Sequence, residues 1–100
     1  MQFAFNSELW LYPGEGAWVF ATLPAKIAQD IKLVTGTSPK RGFGSIRVRA
    51  AVNNTEWFTS IFPDRKTGSY LLPIKQEVRK KAKISTGDRC KFIIYIEDVF

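Results

Sequence analysis

Residues 23–26 read Leu23-Pro24-Ala25-Lys26, and residues 72–75 read Leu72-Pro73-Ile74-Lys75. In both places a stretch of β-forming residues precedes the motif, and a pattern with helical spacing follows it. Proline suits the first turn of a helix, because its φ is already fixed near the helical value. The repeat therefore predicts a mainly β protein, a small pseudo-two-fold β-barrel of the double-split type. We expect about six strands and two short capping helices in a single domain over residues 1–100.

The clearest hairpin lies between residues 46 and 61. Asn53-Asn54 can supply the positive φ angles of a tight two-residue turn between two alternating stretches. That turn fixes the register, because a slip of one residue would turn every side chain to the other face. The predicted facing pairs are Val52 with Thr55, Ala50 with Trp57, Val48 with Thr59, and Ile46 with Ile61. On the other face Arg49 lies opposite Phe58, which predicts a cation–π contact.

Periodicity and turn signals predict the remaining elements. The first strand changes phase near Asn6-Ser7. Pro24 and Pro73 each begin a helix. The predicted ranges are a strand over 2–12, a strand over 17–22, a helix from Pro24 to Gly36, a strand over 69–72, a helix from Pro73 to about Ile84, and a strand over 89–97.

The chain is basic, with a net charge of +6. The excess is concentrated between Arg65 and Lys91, where nine basic residues accompany two acidic ones. Such a stretch attracts nucleic acid, an anionic membrane surface or an acidic partner. The alternative is a solvated helix face that only keeps a small protein soluble.

Cysteine and histidine content restricts the chemistry. The chain has one cysteine, Cys90, and no histidine. A lone cysteine fits a reducing compartment, so we expect a cytoplasmic protein, and no stretch predicts a signal peptide, a membrane span or a membrane partner. Histidine is the commonest catalytic base and a common metal ligand, so we expect no metal, no cofactor and no nucleophilic catalysis. Cys90 is interpreted as a small core residue.

The leading interpretation is a non-enzymatic binding module for an anionic small molecule or an acidic partner. Its most suggestive segment is the basic loop Arg41-Gly42-Phe43-Gly44-Ser45, although its glycines equally suit a barrel corner. Further cations lie on the predicted hairpin, in the following turn and at the second helix. The candidate anion-binding residues are Arg41, Arg47, Arg49, Arg65, Lys66 and Lys75.

Two other functions remain open. A nucleic-acid-binding protein would hold phosphates with these cations and stack bases on Phe58 or Tyr70. A small enzyme would use Asp64, Lys66 and Tyr70 for acid–base chemistry, although Asp64 more simply caps its turn. Several aromatic residues can line a pocket, but core packing is the favoured interpretation for the group Trp10, Trp18, Trp57, Phe58 and Tyr70. We expect a monomer or a weak homodimer.

Particular motifs support a family resemblance across nearly the whole chain. They occupy residues 20–24, 41–48, 57–75, 78–80 and 87–88. These stretches resemble the bacterial family called domain of unknown function 1905. The resemblance implies a pseudo-two-fold β-barrel capped by helices and no established function. More weakly, residues 72–88 are similar in spacing to the swapped-hairpin transcription regulators, whose basic β-surface meets DNA.

Overall fold

Strands and helices follow one another in the predicted order in the computed structural model, which describes residues 1–14, 16–35 and 44–97. The elements are β1 (Gln2–Leu11), β2 (Val19–Thr22), α1 (Ala25–Thr35), β3 (Ile46–Val52), β4 (Thr55–Pro63), β5 (Tyr70–Pro73), α2 (Gln76–Ala82) and β6 (Arg89–Tyr95). The six strands form a closed barrel in the order β1-β2-β5-β4-β3-β6. Every neighbouring pair is antiparallel. The predicted fold class is confirmed.

The barrel consists of two similar halves. One half contains β1, β2, α1 and β3, and the other contains β4, β5, α2 and β6. If β1, β2 and β3 are exchanged with β4, β5 and β6, every strand keeps neighbours of the equivalent type around the barrel. Four ladders join the halves, β1–β6, β3–β4, β2–β5 and β3–β6. The exchange maps the last two onto themselves, and we call these two the seams. The repeat in the sequence is therefore also a repeat in the structure.

The two helices begin at positions that the sequence motif does not align. In α1 the carbonyl oxygen of Pro24 accepts the first helical hydrogen bond, and in α2 that of Lys75 does so. Lys75 is thus the structural equivalent of Pro24. Pro73 instead ends β5. The prediction that Pro73 begins the second helix is wrong: Lys75, two residues later, has the place of Pro24, and α2 begins at Gln76. The strand extends to Pro73 because that residue completes the pairing of β5 with β2.

The hairpin has the predicted register. Asn53 and Asn54 have φ values of 47° and 62°, as the tight turn requires. The Asn53 side chain also donates a hydrogen bond of 3.0 Å to the carbonyl oxygen of Ala82, which ties the hairpin to the end of α2. All four predicted facing pairs are confirmed: Val52 with Thr55, Ala50 with Trp57, Val48 with Thr59, and Ile46 with Ile61.

Arg49 does not stack on Phe58, so the predicted cation–π pair is wrong. The guanidinium lies 3.9 Å from the ring centroid of Tyr95, which faces Arg49 across the β3–β6 seam. It also pairs with Glu56 and Glu97, each at 3.2 Å. Arg49 therefore holds strands together and has its charge neutralised by carboxylates of this chain.

Residues along β1 alternate without interruption, which corrects the predicted change of phase. Phe3, Phe5, Ser7 and Leu9 are all buried. Ser7 suits the buried face because its hydroxyl donates a 2.7 Å hydrogen bond to the carbonyl oxygen of Thr22. Thr35 and Ser69 are the other buried polar residues of the described chain. The largest fully buried side chains are all apolar: Phe92, Leu9, Leu23, Ile31, Ile61, Leu72, Ile74, Ile94 and Ile96.

The remaining differences are at the ends of elements. β2 begins at Val19, two residues later than predicted, after Ala17 with a φ of 48°. α2 ends at Ala82, because Lys83 adopts a left-handed conformation with a φ of 58°. In the described part of the chain, neither helix has the length and apolar character needed to span a bilayer.

The indole N–H of Trp57 is a buried hydrogen-bond donor in the barrel interior. Its ring lies on the core face as predicted, and its indole N–H is buried without an acceptor among the described residues. Trp10, by contrast, donates its indole N–H to the Thr22 hydroxyl at 2.9 Å. An unsatisfied buried donor costs about 1–3 kcal/mol, so Trp57→Phe removes a penalty as well as packing.

We expect Trp57→Phe to lower the free energy of unfolding by less than about 1 kcal/mol, and by less than Trp10→Phe. Urea denaturation of the two variants measures the difference. A larger loss for Trp57→Phe would mean that this N–H is hydrogen-bonded in solution.

Candidate functional site

A groove of about 670 Å³ opens at one end of the β2–β5 seam. It lies between the β1–β2 turn, the later part of β4, the end of β5 and the start of α2. Its lining residues are Gly16, Ala17, Trp18, Val19, Thr59, Phe62, Pro73, Ile74, Lys75, Gln76 and Arg79. None of these side chains is acidic, and most are apolar.

Comparison of the two halves shows where the groove comes from. Matching Pro24 with Lys75 also matches Ala17 with Gly68, and both of these have positive φ values, of 48° and 73°. The same match pairs Thr22 with Pro73, Leu23 with Ile74, and Trp18 with Ser69. In β1 and β4 the equivalent positions are one residue further apart, so Ser7 matches Thr59 and Trp10 matches Phe62. The ladders agree, since Trp10 faces Phe20 and Phe62 faces Leu71 at equivalent positions. In each half, the start of the helix therefore lies against the β2–β5 seam, and we call this region a junction. One junction is beside α1 and the other is beside α2.

The junction beside α1 is closed by hydrogen bonds. The Ser69 hydroxyl donates to the carbonyl oxygen of Leu23 at 2.7 Å, and the Ser7 hydroxyl donates to that of Thr22 at 2.7 Å. The Trp10 indole N–H reaches the Thr22 hydroxyl. Ser7 and Ser69 are both buried, so these polar groups fill the junction.

The junction beside α2 has different residues and is open. Pro73 stands where the first junction has Thr22, and its ring has no hydrogen-bonding group. Trp18 replaces a serine, and 58% of its side chain is exposed. Phe62 replaces Trp10 and is 43% exposed. The groove therefore results from side-chain differences between two otherwise similar halves.

Trp18 is held in place although it is exposed. Its ring lies parallel to that of Phe20, with 6.2 Å between the centroids and 9° between the planes. Gly16, at a φ of +94°, lies against the edge of the indole, so close that a Cβ there would be 2.9 Å from Nε1. A fixed aromatic surface loses little conformational freedom when a ligand stacks on it.

Two cations line the side of the groove that α2 provides. Arg79 is half-buried and donates its Nε–H to the carbonyl oxygen of Ile74 at 3.1 Å. Its terminal nitrogens make no hydrogen bond within the part of the chain that the structure describes. Lys75 is exposed, and its only near carboxylate there is Glu77, at 3.9 Å. Both side chains are available to an anionic group in the groove.

The sequence matches, over residues 5–94, the protein family described as "Domain of unknown function (DUF1905)". The chain belongs to this family. No curated protein matches it. The weaker likeness to swapped-hairpin transcription regulators stays a prediction.

Of the predicted anion-binding residues of this DUF1905 chain that the structure describes, only Lys75 lines the groove. Arg47 is exposed on β3, and Arg65 and Lys66 are exposed in the turn between β4 and β5. Arg49 is engaged by two carboxylates. Arg41, like most of the basic loop predicted around it, lies outside the described residues. The structure therefore does not bring the described members of this set together.

The residues considered for acid–base catalysis have separate positions. Asp64 accepts hydrogen bonds from the backbone N–H and the hydroxyl of Thr67, as expected for a residue that caps its turn. Lys66 is exposed. Tyr70 is 3% exposed, and burial raises the pKa of its hydroxyl. Burial, with a smaller effect of the Asp88 charge, also raises the pKa of the Cys90 thiol, which keeps it protonated.

The two residues considered for base stacking differ in accessibility. Phe58 is 68% exposed on the outer face of β4, whereas the ring of Tyr70 lies in the core. Trp18 is one of the aromatic residues that the sequence offers for a pocket, but the core packing favoured for that group is wrong for Trp18, which is largely exposed. Phe62, the other aromatic residue of the groove, is not among the residues that the sequence singles out. The signal that finds them is the comparison of Trp18 with Ser69 and of Phe62 with Trp10, which requires the structural match between the halves.

Proposed function

We propose that the protein is a non-enzymatic binding module whose groove takes a ligand with a flat apolar body and an anionic group. The observation that supports this most directly is the pairing of an exposed, fixed indole at Trp18 with two cations, Lys75 and Arg79, in one groove. An aromatic surface with a few convergent polar groups is typical of small-ligand sites.

The two parts of the groove supply different contributions. Trp18 and Phe62 offer aromatic faces that gain by covering an apolar surface. Lys75 and Arg79 offer charge-assisted hydrogen bonds, which are stronger than neutral ones. No described lining side chain is acidic, so the charge that the lining itself presents to a carboxylate, sulfonate or phosphate is positive. The charge of the ligand therefore supplies selectivity, and its flat body supplies contact area.

A pair of fluorescent probes tests both contributions. Anilinonaphthalene sulfonate has a flat aromatic body and one fixed negative charge, whereas phenylnaphthylamine has a similar body without the charge. We expect the sulfonate to bind about tenfold or more tightly than the neutral probe, because one charge-assisted contact contributes about 1.5–3 kcal/mol. Titration of probe fluorescence at low salt measures both affinities.

Lys75→Met should remove most of the preference for the sulfonate, leaving the affinity for phenylnaphthylamine unchanged. Lys81→Met is the matched control, since Lys81 is an exposed lysine on the same helix that does not line the groove. Equal affinities for the two probes in the unmodified protein, or equal losses in the two variants, would overturn the proposed function.

The cysteine content gives the expected location of the protein. A lone cysteine cannot form an intramolecular disulfide, which suits a reducing compartment, so we expect a cytoplasmic protein. A monomer or weak homodimer stays our prediction for its assembly.

A further inference from the structure

Four aromatic rings form a block on the outer face of the β1–β2 hairpin: those of Trp10, Tyr12, Trp18 and Phe20. Trp10 faces Phe20 across the ladder, with 5.5 Å between the ring centroids. Tyr12 lies beside Trp18, whose carbonyl oxygen accepts a 2.8 Å hydrogen bond from the Tyr12 backbone N–H. Tyr12 is 49% exposed. Core packing does not explain the block, because its two outermost rings lie largely in solvent.

The aromatic block continues into the groove. Trp18 belongs to both, and Phe20 faces Pro73 on the neighbouring strand. On the far side of Pro73, across β5, Phe62 presents a further exposed ring. Apolar rings therefore extend from Tyr12 to Phe62 over β1, β2, β5 and β4. A ligand with a single ring covers only part of this surface.

The charge beside these rings is positive. Lys75 and Arg79 line the groove, and α2, which begins there, also carries Lys80 and Lys81 against one acidic residue, Glu77. An uncharged apolar partner would leave this charge unused. An anionic polymer with several flat rings offers one ring to each exposed aromatic residue and carries the opposite charge to the cations.

We propose that the groove and the aromatic block together bind single-stranded nucleic acid. Bases stack on the exposed rings of Trp18, Tyr12 and Phe62, and phosphates meet Lys75 and Arg79. A single strand is required because paired bases in a duplex hide their faces from such stacking. This inference rests on the proposed function, since the groove then holds one nucleotide of the strand.

The test compares a fluorescein-labelled octathymidylate, a duplex of the same length, and thymidine monophosphate as a competitor. We expect the single strand to bind about tenfold or more tightly than the duplex and the mononucleotide, because each stacked base adds about fivefold or more. Affinity should fall with salt by about 0.7 log unit per phosphate contact for each log unit of salt concentration. Fluorescence anisotropy at two salt concentrations measures these quantities.

Two aromatic variants separate the inference from the proposed function. Tyr12→Ser should weaken octathymidylate binding by about fivefold or more and leave anilinonaphthalene sulfonate binding unchanged, because Tyr12 does not line the groove. Phe58→Ser is the control, since Phe58 is an aromatic residue even more exposed than Tyr12, at 68% against 49%, but lies outside the block and the groove.

Sulfonate binding with no gain for the octathymidylate over the mononucleotide would overturn this inference alone. Failure of both the sulfonate and the octathymidylate to bind would overturn both proposals. Dimerisation that Tyr12→Ser abolishes, without octathymidylate binding, would assign the block to a second copy of the chain and overturn the inference.

Discussion

Replacing Gly16 with alanine is expected to weaken anilinonaphthalene sulfonate binding by about tenfold or more and to lower the free energy of unfolding by about 1–3 kcal/mol. The loss of stability follows from a φ of +94°, which residues with a Cβ rarely adopt. The loss of binding follows from the Cβ itself, which would lie 2.9 Å from Nε1 and 3.0 Å from Cδ1 of Trp18. The indole must move, and the aromatic surface moves with it.

Gly14→Ala is the control that separates the two effects. Gly14 lies in the same turn with a φ of +128°, and a Cβ there would meet nothing within 4 Å. It should lower stability by a similar amount while leaving probe binding unchanged. Urea denaturation and probe titration of both variants provide the comparison. If Gly14→Ala weakened binding as much as Gly16→Ala, the seating of Trp18 by Gly16 would not control the groove.

Phe92→Ala is expected to lower the free energy of unfolding by about 3–5 kcal/mol. Phe92 is fully buried and faces Phe5 across the β1–β6 ladder, with 5.8 Å between the ring centroids. β6 pairs with β1 and with β3, which both belong to the other half, so a cavity at Phe92 lies where the halves join. The total stability of a domain is about 5–15 kcal/mol, so the variant loses a large share of it.

The variants Phe92→Leu and Ile93→Ala keep this prediction testable. Phe92→Leu preserves most of the volume and should cost less than half as much as Phe92→Ala. Ile93 is the next residue along β6, only half-buried, and its replacement by alanine should cost about 1 kcal/mol. Urea denaturation of the three variants measures these losses, provided that the dependence of the unfolding free energy on urea concentration is unchanged. Similar losses for Phe92→Ala and Ile93→Ala would show that the interior collapses to fill the cavity.

The register of the β3–β4 hairpin could be predicted because its determinants are local. Asn53-Asn54 sets the turn, and alternation on either side sets the faces. The partner of Arg49 could not be predicted in the same way, because a strand inside a barrel has two neighbours. The second neighbour, which contributes Tyr95, is distant in sequence and reaches β3 only when the barrel closes.

The start of α2 shows a different limit. Leu23-Pro24 and Leu72-Pro73 are identical in sequence. The pairing of β5 with β2, however, decides where β5 ends. The helix therefore starts two residues later than the motif implies. The groove was missed for a related reason. Trp18 is an ordinary core candidate until it is compared with Ser69, its counterpart in the other half.

The two unequal junctions also constrain how such a barrel can evolve. If two identical half-chains formed the barrel as a dimer, both junctions would have the same residues, and any change that opened one would open the other. Within one chain each junction is encoded separately. Ser7, Thr22 and Ser69 can be retained for folding while Trp18, Phe62 and Pro73 diverge under selection for a ligand. Members of the family that bind different ligands should then differ most at the open junction.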